Sequence, residues 1–551
     1  MQTFISTYAF LLVLALTLTA GPQAQAKSFE VRGIKGLFWD GIRFYQEALP
    51  WLARHHMNFL MTCYTSFPAS ATEWRSDYTP AEMGQLRDLA AESRKLGVNL
   101  CLSFNPAIWS SPPLLYSSEQ DYTTALNKVK KAHALGITWF ALCLDDIDRN
   151  LQPADKEKFG TLQAAHVYFV SRLWKDMRTL RPKPRLIFCP TIFCTADAYQ
   201  NPDYVNAIGE GLDREIMIFW TGPDVGSVSI TAADAKTFGR WIRRKPFVWD
   251  NYPCNHACGW RPLVAPLKNR SADLAGQVSG FMANPMRQWY PSVIPLATIA
   301  SYLTDPEGYS PENAIEKAIM EFPPDQQTAL RLLVQLYGHS FFGDPGYPPQ
   351  PRPKKPEDAH KMLPKYHALR KLMSGNPALE DLWREVQPAV DQDIALLESR
   401  ERDRRKQSPL NAHGEDFDGG AADLFGYWQF DRSANYVYAT PTSKDRMRVS
   451  FWLEAIPEAG AALRLVARDG DLPRKTRIQV TINQQVIMEG DSPFSGENWD
   501  SKSFDIPPSA LTAGENLLLI RNMETDGVLG APPFFMVTEA ELVPKPTVHK
   551  R

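Results

Sequence analysis

The chain has 551 residues, 44% of them apolar and 15 of them tryptophan, so it folds rather than stays disordered, and it is too long for one compact domain. Its 60 basic and 62 acidic residues leave a formal net charge of −2, which gives no reason to expect a nucleic-acid partner or an anionic membrane surface.

Residues 1–26 read as an export signal. Phe10 to Leu18 forms a short apolar core, and Ala24-Gln25-Ala26 obeys the small-residue rule for cleavage before Lys27, although no Lys or Arg precedes the core. The core is too short for a membrane span, and no later segment resembles one. The expectation is a secreted or periplasmic protein, cleaved after Ala26.

From residue 29 to about 285 a short apolar strand, a polar loop and an amphipathic helix recur. The predicted strands are Phe29–Phe38, Asn58–Tyr64, Val98–Phe104, Trp139–Leu144, Arg185–Pro190, Glu215–Trp220, Pro246–Trp249 and Val278–Ala283. Helices are predicted between them, among others over Pro80–Leu96, Thr123–Leu135 and Ala154–Leu180. Eight such units in about 260 residues match a closed (β/α)8 barrel, with a doubly wound open sheet as the alternative. Cys101, Cys143 and Cys189 fall inside the strands, where buried free thiols are common. Cys254 and Cys258 leave a disulfide open; a single CxxxC around His256 is weak support for a metal, and neither a metal nor a cofactor is expected.

The fourth strand runs from Trp139 through apolar residues to Leu144 and then meets Asp145, Asp146 and Asp148. Adjacent acids often cap a helix. Here, however, ionised carboxylates tolerate a dry strand core poorly, so they belong just past its carboxyl end, where parallel α/β folds open their active sites. Two acids there, one kept protonated, can break a glycosidic bond. The other strand ends carry Gly36, Phe38, Thr65, Asn105, Phe193, Trp220, Trp249, Asn251 and Asn284, a set rich in aromatic and amide side chains. Aromatic faces stack on sugar rings, and amides and carboxylates bind hydroxyls.

Four segments, Leu144-Asp145-Asp146-Ile147-Asp148, Trp220-Thr221-Gly222-Pro223, Trp249-Asp250-Asn251-Tyr252-Pro253 and Asn284-Pro285-Met286, occur in this order on successive strand ends. Together they resemble glycoside hydrolase family 84, the β-N-acetylglucosaminidases related to O-GlcNAcase and to bacterial hyaluronidase-like enzymes. The likeness runs from about residue 30 to 305. It implies a retaining, substrate-assisted hydrolysis in which the sugar's own 2-acetamido oxygen attacks its anomeric carbon. By that resemblance Asp145 orients the acetamido group and Asp146 is the general acid and base. Trp249 walls the acetamido pocket, Asn251 and Asn284 contact the sugar, and the Gly36 carbonyl approaches its ring. Asp148 is expected to be structural, pairing with Arg149.

The chain also departs from the family. Lys35-Gly36-Leu37-Phe38-Trp39 stands where members have Glu-Gly-Phe-Tyr-Gly. A lysine after the second strand is absent, with Thr65 or a neighbour in its region. Phe193 replaces a tyrosine, and His256 replaces an acid that holds the outer hydroxyls. The resemblance is to a divergent member, with the sugar of N-acetylglucosamine or N-acetylgalactosamine type.

Residues 306–406 are predicted to be helical, over Pro311–Phe322, Asp325–Tyr337, Asp358–Met373 and Leu379–Arg402, punctuated by the Pro-rich Gly343–Pro356. Residues 411–545 alternate like the strands of a jelly-roll-type β-sandwich, with Met447–Leu453, Thr476–Met488 and Asn516–Asn522 the clearest stretches. A carbohydrate-associated role for this module would need exposed aromatics, for which Trp428, Phe494 and Trp499 are candidates. The sequence thus points to an exported α/β glycosidase acting on a glycan or glycoconjugate. A carbohydrate-binding protein on a degenerate barrel and a glycosidase with a carboxylate nucleophile remain as alternatives.

Overall fold

A computed structural model describes residues 28–37, 42–259, 261–338, 341–342, 356–405, 409–422, 434–470, 474–525, 527 and 532–546. The expected export signal, Phe38, Trp428 and nearly all of the Pro-rich stretch lie outside them. The eight predicted strands form β1 (Arg32–Lys35), β2 (Phe59–Met61), β3 (Asn99–Phe104), β4 (Trp139–Cys143), β5 (Arg185–Cys189), β6 (Met217–Trp220), β7 (Phe247–Asp250) and β8 (Gly280–Ala283). Each pairs in parallel with the next, and β8 closes on β1 with Phe281 opposite Arg32. The open-sheet alternative is thereby excluded.

Side chains alternate across each strand, and the two faces meet different neighbours. Phe59, Met61, Cys101, Ala141, Cys143, Ile187, Cys189, Phe219, Phe247, Trp249 and Met282 fill the barrel interior. The residues between them, such as Leu60, Leu102, Phe140, Leu142, Phe188, Trp220 and Val248, pack outward against the helices. Both faces are dry, which is why the strands read as unbroken apolar runs. The predicted helix over Ala154–Leu180 is two helices, Pro153–Phe159 and Leu162–Met177. Gly160 breaks it at φ +72°, and Thr161 caps the second with a bond from the Ala164 N–H.

After the helix Trp289–Thr304 come Pro311–Met320, Pro324–Tyr337, Pro356–Ser374 and Glu380–Arg405. Their apolar faces join the cluster outside the barrel. A buried ion pair between Arg261, on the loop after β7, and Asp393 of the last helix ties the two parts, and the Tyr337 hydroxyl donates to the same carboxylate at 2.6 Å.

Further on, one antiparallel sheet orders Asp418–Gly419, Arg446–Leu453, Gly514–Asn522, Arg477–Ile482 and Gln485–Asp491. The other orders Ala421–Ala422, Asn435–Tyr438, Phe534–Pro544, Ala461–Asp469 and Asp500–Ile506, with Leu410–His413 added on Phe534–Pro544. Side chains of both sheets share one core. The stretch Thr476–Met488 is a hairpin rather than one strand: Asn483 and Gln484 take φ +48° and +71°, the two-residue turn that matches strand twist. Phe494 is fully buried and Trp499 half-buried.

No disulfide joins any of the seven cysteines, Cys254 and Cys258 included. Among the described residues no helix is long and apolar enough to cross a membrane, and no cluster of His, Cys, Asp and Glu could hold a metal.

Candidate active site

Asp145 continues the inward column of β4, Trp139-Ala141-Cys143, so its carboxyl enters the barrel mouth. Asp146 follows at φ +48°, a left-handed conformation that Asp tolerates better than most residues. The Thr191 hydroxyl pins this strand end by donating to the Leu144 carbonyl at 2.7 Å. Fully buried Asn105, at the end of β3, donates from Nδ2 to Asp145 Oδ1 at 3.2 Å and to the Asp145 carbonyl at 3.3 Å. Its own Oδ1 accepts from the Ala107 and Ile108 N–H groups at 3.2 and 3.0 Å, which fixes the amide orientation.

Burial pushes the Asp145 carboxyl up to about 7, and the neighbouring Asp146 charge adds to the effect. Lys35 and the Asn105 hydrogen bond pull it back. Asp146 is raised as well, by burial, with Lys35 opposing. Its side chain is reached by water yet ringed by protein, as befits the wall of a concave mouth. Burial and the adjacent charge together favour the protonated form of the Asp145 carboxyl.

The cation was not evident as a site residue from the sequence. Lys35 lies on the inward column of β1 and is fully buried. Its Nζ is 3.4 Å from both the Gly36 carbonyl and Cys63 Sγ, and lies 5.7 and 6.0 Å from the ring centroids of Trp249 and Tyr64. A lysine in a strand otherwise buried on both faces was the available signal. Tyr64 is buried beside the acids, and burial followed by the Asp145 charge drives its phenol well up.

The remaining predicted residues divide by where their side chains point. Trp249 faces inward, edge-on to Phe219 at 5.1 Å, with its indole N–H buried and unbonded. Half-buried Phe193 packs on the same interior cluster. Asn284 Nδ2 donates to Asn251 Oδ1 at 2.9 Å, and Asn251 Nδ2 to the Val225 carbonyl at 2.7 Å, so the two amides are locked together. His256 sits in a short turn after β7, its imidazole pushed down to about 4 by burial and then by Lys35 and Arg287. Thr65 Oγ1 lies 3.1 Å from Cys63 Sγ. Gly36 is required by crowding, because a Cβ there would stand 2.2 Å from the Tyr45 hydroxyl.

Two expectations are corrected. Trp220 does not line the mouth: it is one residue off the inward column, stacks on Phe238 at 5.7 Å in the outer layer, and donates its indole N–H to Thr195 at 3.0 Å. Asp148 pairs with Asn150, which donates to it from backbone and side chain at 2.9 Å, while Arg149 reaches Asp197 instead. Asp250, within the Trp249-Asp250-Asn251-Tyr252 segment, is consumed by a buried bidentate pair with Arg270, both contacts 2.8 Å.

With this geometry in place, known proteins give it context. The profile of the family described as beta-N-acetylglucosaminidase matches residues 39–335, more than half of the chain. The sequence is similar to the Protein O-GlcNAcase of Mus musculus (28% identical over 232 residues, 42% of this chain) and of Rattus norvegicus (29% over 233 residues, also 42%). Each match spans 25% of the relative's length. The fold is similar to that of a mutant O-GlcNAc hydrolase of Thermobaculum terrenum, with a TM-score of 0.60 and 21% identity, over 68% of this chain and 83% of the other.

Proposed function

This chain belongs to the beta-N-acetylglucosaminidase family of glycoside hydrolases, and we propose that it is an exported, retaining glycosidase that releases terminal β-linked 2-acetamido-2-deoxy sugars from a glycan or glycoconjugate. The observation that carries the reading is the adjacent pair Asp145 and Asp146 at the barrel mouth, the buried Asp145 held by Asn105 and both acids opposed by the Lys35 charge. In the free protein Asp145 holds a proton up to about 7. An acetamido N–H donated to its oxygen favours the ionised form, so sugar binding passes that proton to Asp146.

The acetamido oxygen then attacks the anomeric carbon as the bond to the leaving oxygen breaks, and Asp146 gives that oxygen its proton. The result is an oxazoline whose positive charge lies against ionised Asp145. Water adds to the same carbon, gives its proton to Asp146, and the acetamido group is restored. A tethered nucleophile brings a large effective concentration and needs no third carboxylate. Trp249, with an apolar face and an unbonded N–H, forms the wall of the acetamido pocket. Phe193, Thr65 and His256 replace groups that would read the outer hydroxyls, so the sugar is of N-acetylglucosamine or N-acetylgalactosamine type. The same changes motivate the alternative of a non-hydrolytic sugar-binding protein, against which the retained acid pair speaks.

The test uses purified residues 27–551 and fluorogenic β-glycosides of gluco and galacto configuration, with 2-acetamido or 2-hydroxy groups. Turnover confined to the acetamido sugars is expected, with inhibition by a thiazoline mimic of the oxazoline. Cleavage of 2-hydroxy sugars would overturn assisted catalysis; binding without turnover would favour the alternative. Export predicts that the protein recovered outside the cytoplasm begins at Lys27.

A further inference from the structure

The loop from Asn105 to Ser118, between β3 and the helix Glu119–Ala134, holds one residue in an unusual state. Trp109 is 55% exposed and has φ +52°, a conformation a bulky side chain adopts at a cost. Its neighbours Ile108 and Ser110 are buried. The loop is not loose. Asn105 accepts from the Ala107 and Ile108 N–H groups, and the Ser110 hydroxyl donates to the Pro106 carbonyl at 3.0 Å. The Arg75 guanidinium donates to the Pro112 and Pro113 carbonyls at 2.5 and 2.9 Å, and Asp155 accepts from the Tyr116 and Ser117 N–H groups. An exposed indole is thus held in a strained backbone by a well-tied loop.

Its position gives the strain a use. The Trp109 ring stands 6.4 Å from that of Tyr64, and Tyr64 in turn lies beside Lys35 and in the field of both carboxylates. The same Asn105 side chain bonds Asp145 on one side and shapes the Trp109 loop on the other. The indole is therefore one aromatic ring outward from the reacting centre, at the rim. Resting on the glycosidase reading above, we propose that Trp109 is the stacking platform of a leaving-group subsite, taking the apolar face of a second saccharide ring joined through the scissile oxygen. An indole face fits the C–H surface of a pyranose, and a platform fixed before binding loses little freedom when the sugar arrives.

The test compares Trp109→Ala and Trp109→Phe with the full-length wild type on N,N′-diacetylchitobiose and on the β-methyl glycoside of N-acetylglucosamine, whose leaving group has no ring. The expected result is a loss of kcat/KM of roughly tenfold or more on the disaccharide for Trp109→Ala, largely recovered by Trp109→Phe. The methyl glycoside should stay within about twofold. Equal losses on both substrates, or no loss on either, would overturn the proposal. Calorimetric binding of the thio-linked disaccharide, which no glycosidase step consumes, reads the subsite separately. Equal affinities of wild type and Trp109→Ala would refute it even where the hydrolytic reading itself fails, a failure marked by wild type cleaving neither substrate.

Discussion

Replacing Asp145 by Asn should abolish turnover and yet stabilise the protein at alkaline pH. The variant keeps an oxygen where Asn105 Nδ2 now donates at 3.2 Å, and removes only the charge. In the fold this carboxyl is held up to about 7, against an ordinary value of 3.8. At about 1.36 kcal/mol per pH unit, keeping it ionised costs the native state on the order of 2–4 kcal/mol. The sign follows from proton uptake: between the two values the native state holds the proton more strongly than the unfolded chain, so stability falls as pH rises. The penalty is absent below about pH 4 and complete above about pH 7. Thermal unfolding near pH 8 should therefore place the Asn variant roughly 3–6 °C above wild type, with the gap closing toward about pH 4. Equal unfolding temperatures near pH 8, or a gap that does not change with pH, would refute the assignment of a desolvated carboxyl here.

Other outcomes rest on neighbouring groups. Lys35→Met removes the cation that opposes protonation of both acids, so both limbs of the kcat/KM pH profile should move to higher pH; an unmoved profile would remove Lys35 from the site's electrostatics. Asn105→Ala should shift the profile the same way by about one to two pH units, because a hydrogen bond to a charged group is lost. It should also lower the unfolding temperature, since the Ala107 and Ile108 N–H groups lose their acceptor. Arg270→Met leaves Asp250 buried without its bidentate partner and should cost about 3–5 kcal/mol, read as a large drop in denaturation midpoint. By contrast Trp220→Phe should leave the KM for a monosaccharide glycoside within about twofold, since that ring packs on Phe238 outside the barrel.

The strands were readable because a strand buried on both faces announces itself as an apolar run, and the acids because a carboxylate cannot continue such a run. That same uniformity hid the facing of each side chain. With both faces dry there is no polar and apolar alternation to show inside from outside, so Trp220 at a strand end looked like a pocket wall as much as Trp249 did. The hairpin within Thr476–Met488 was hidden for a local reason: Asn483-Gln484 lacks the glycine that usually marks such a turn.

By itself, then, the amino-acid sequence determined the eight-unit barrel, the acid pair at the end of β4 and the family, all of which depend on local pattern and order along the chain. Closure of the barrel decided the rest. It turned Lys35, Asn105, Asp145 and Trp249 into one mouth, sent Trp220 outward, joined Asp250 to Arg270 across 20 residues, and set Trp109 over Tyr64. Each of these depends on register between strands far apart in the chain, and a shift of one residue reverses every facing along a strand.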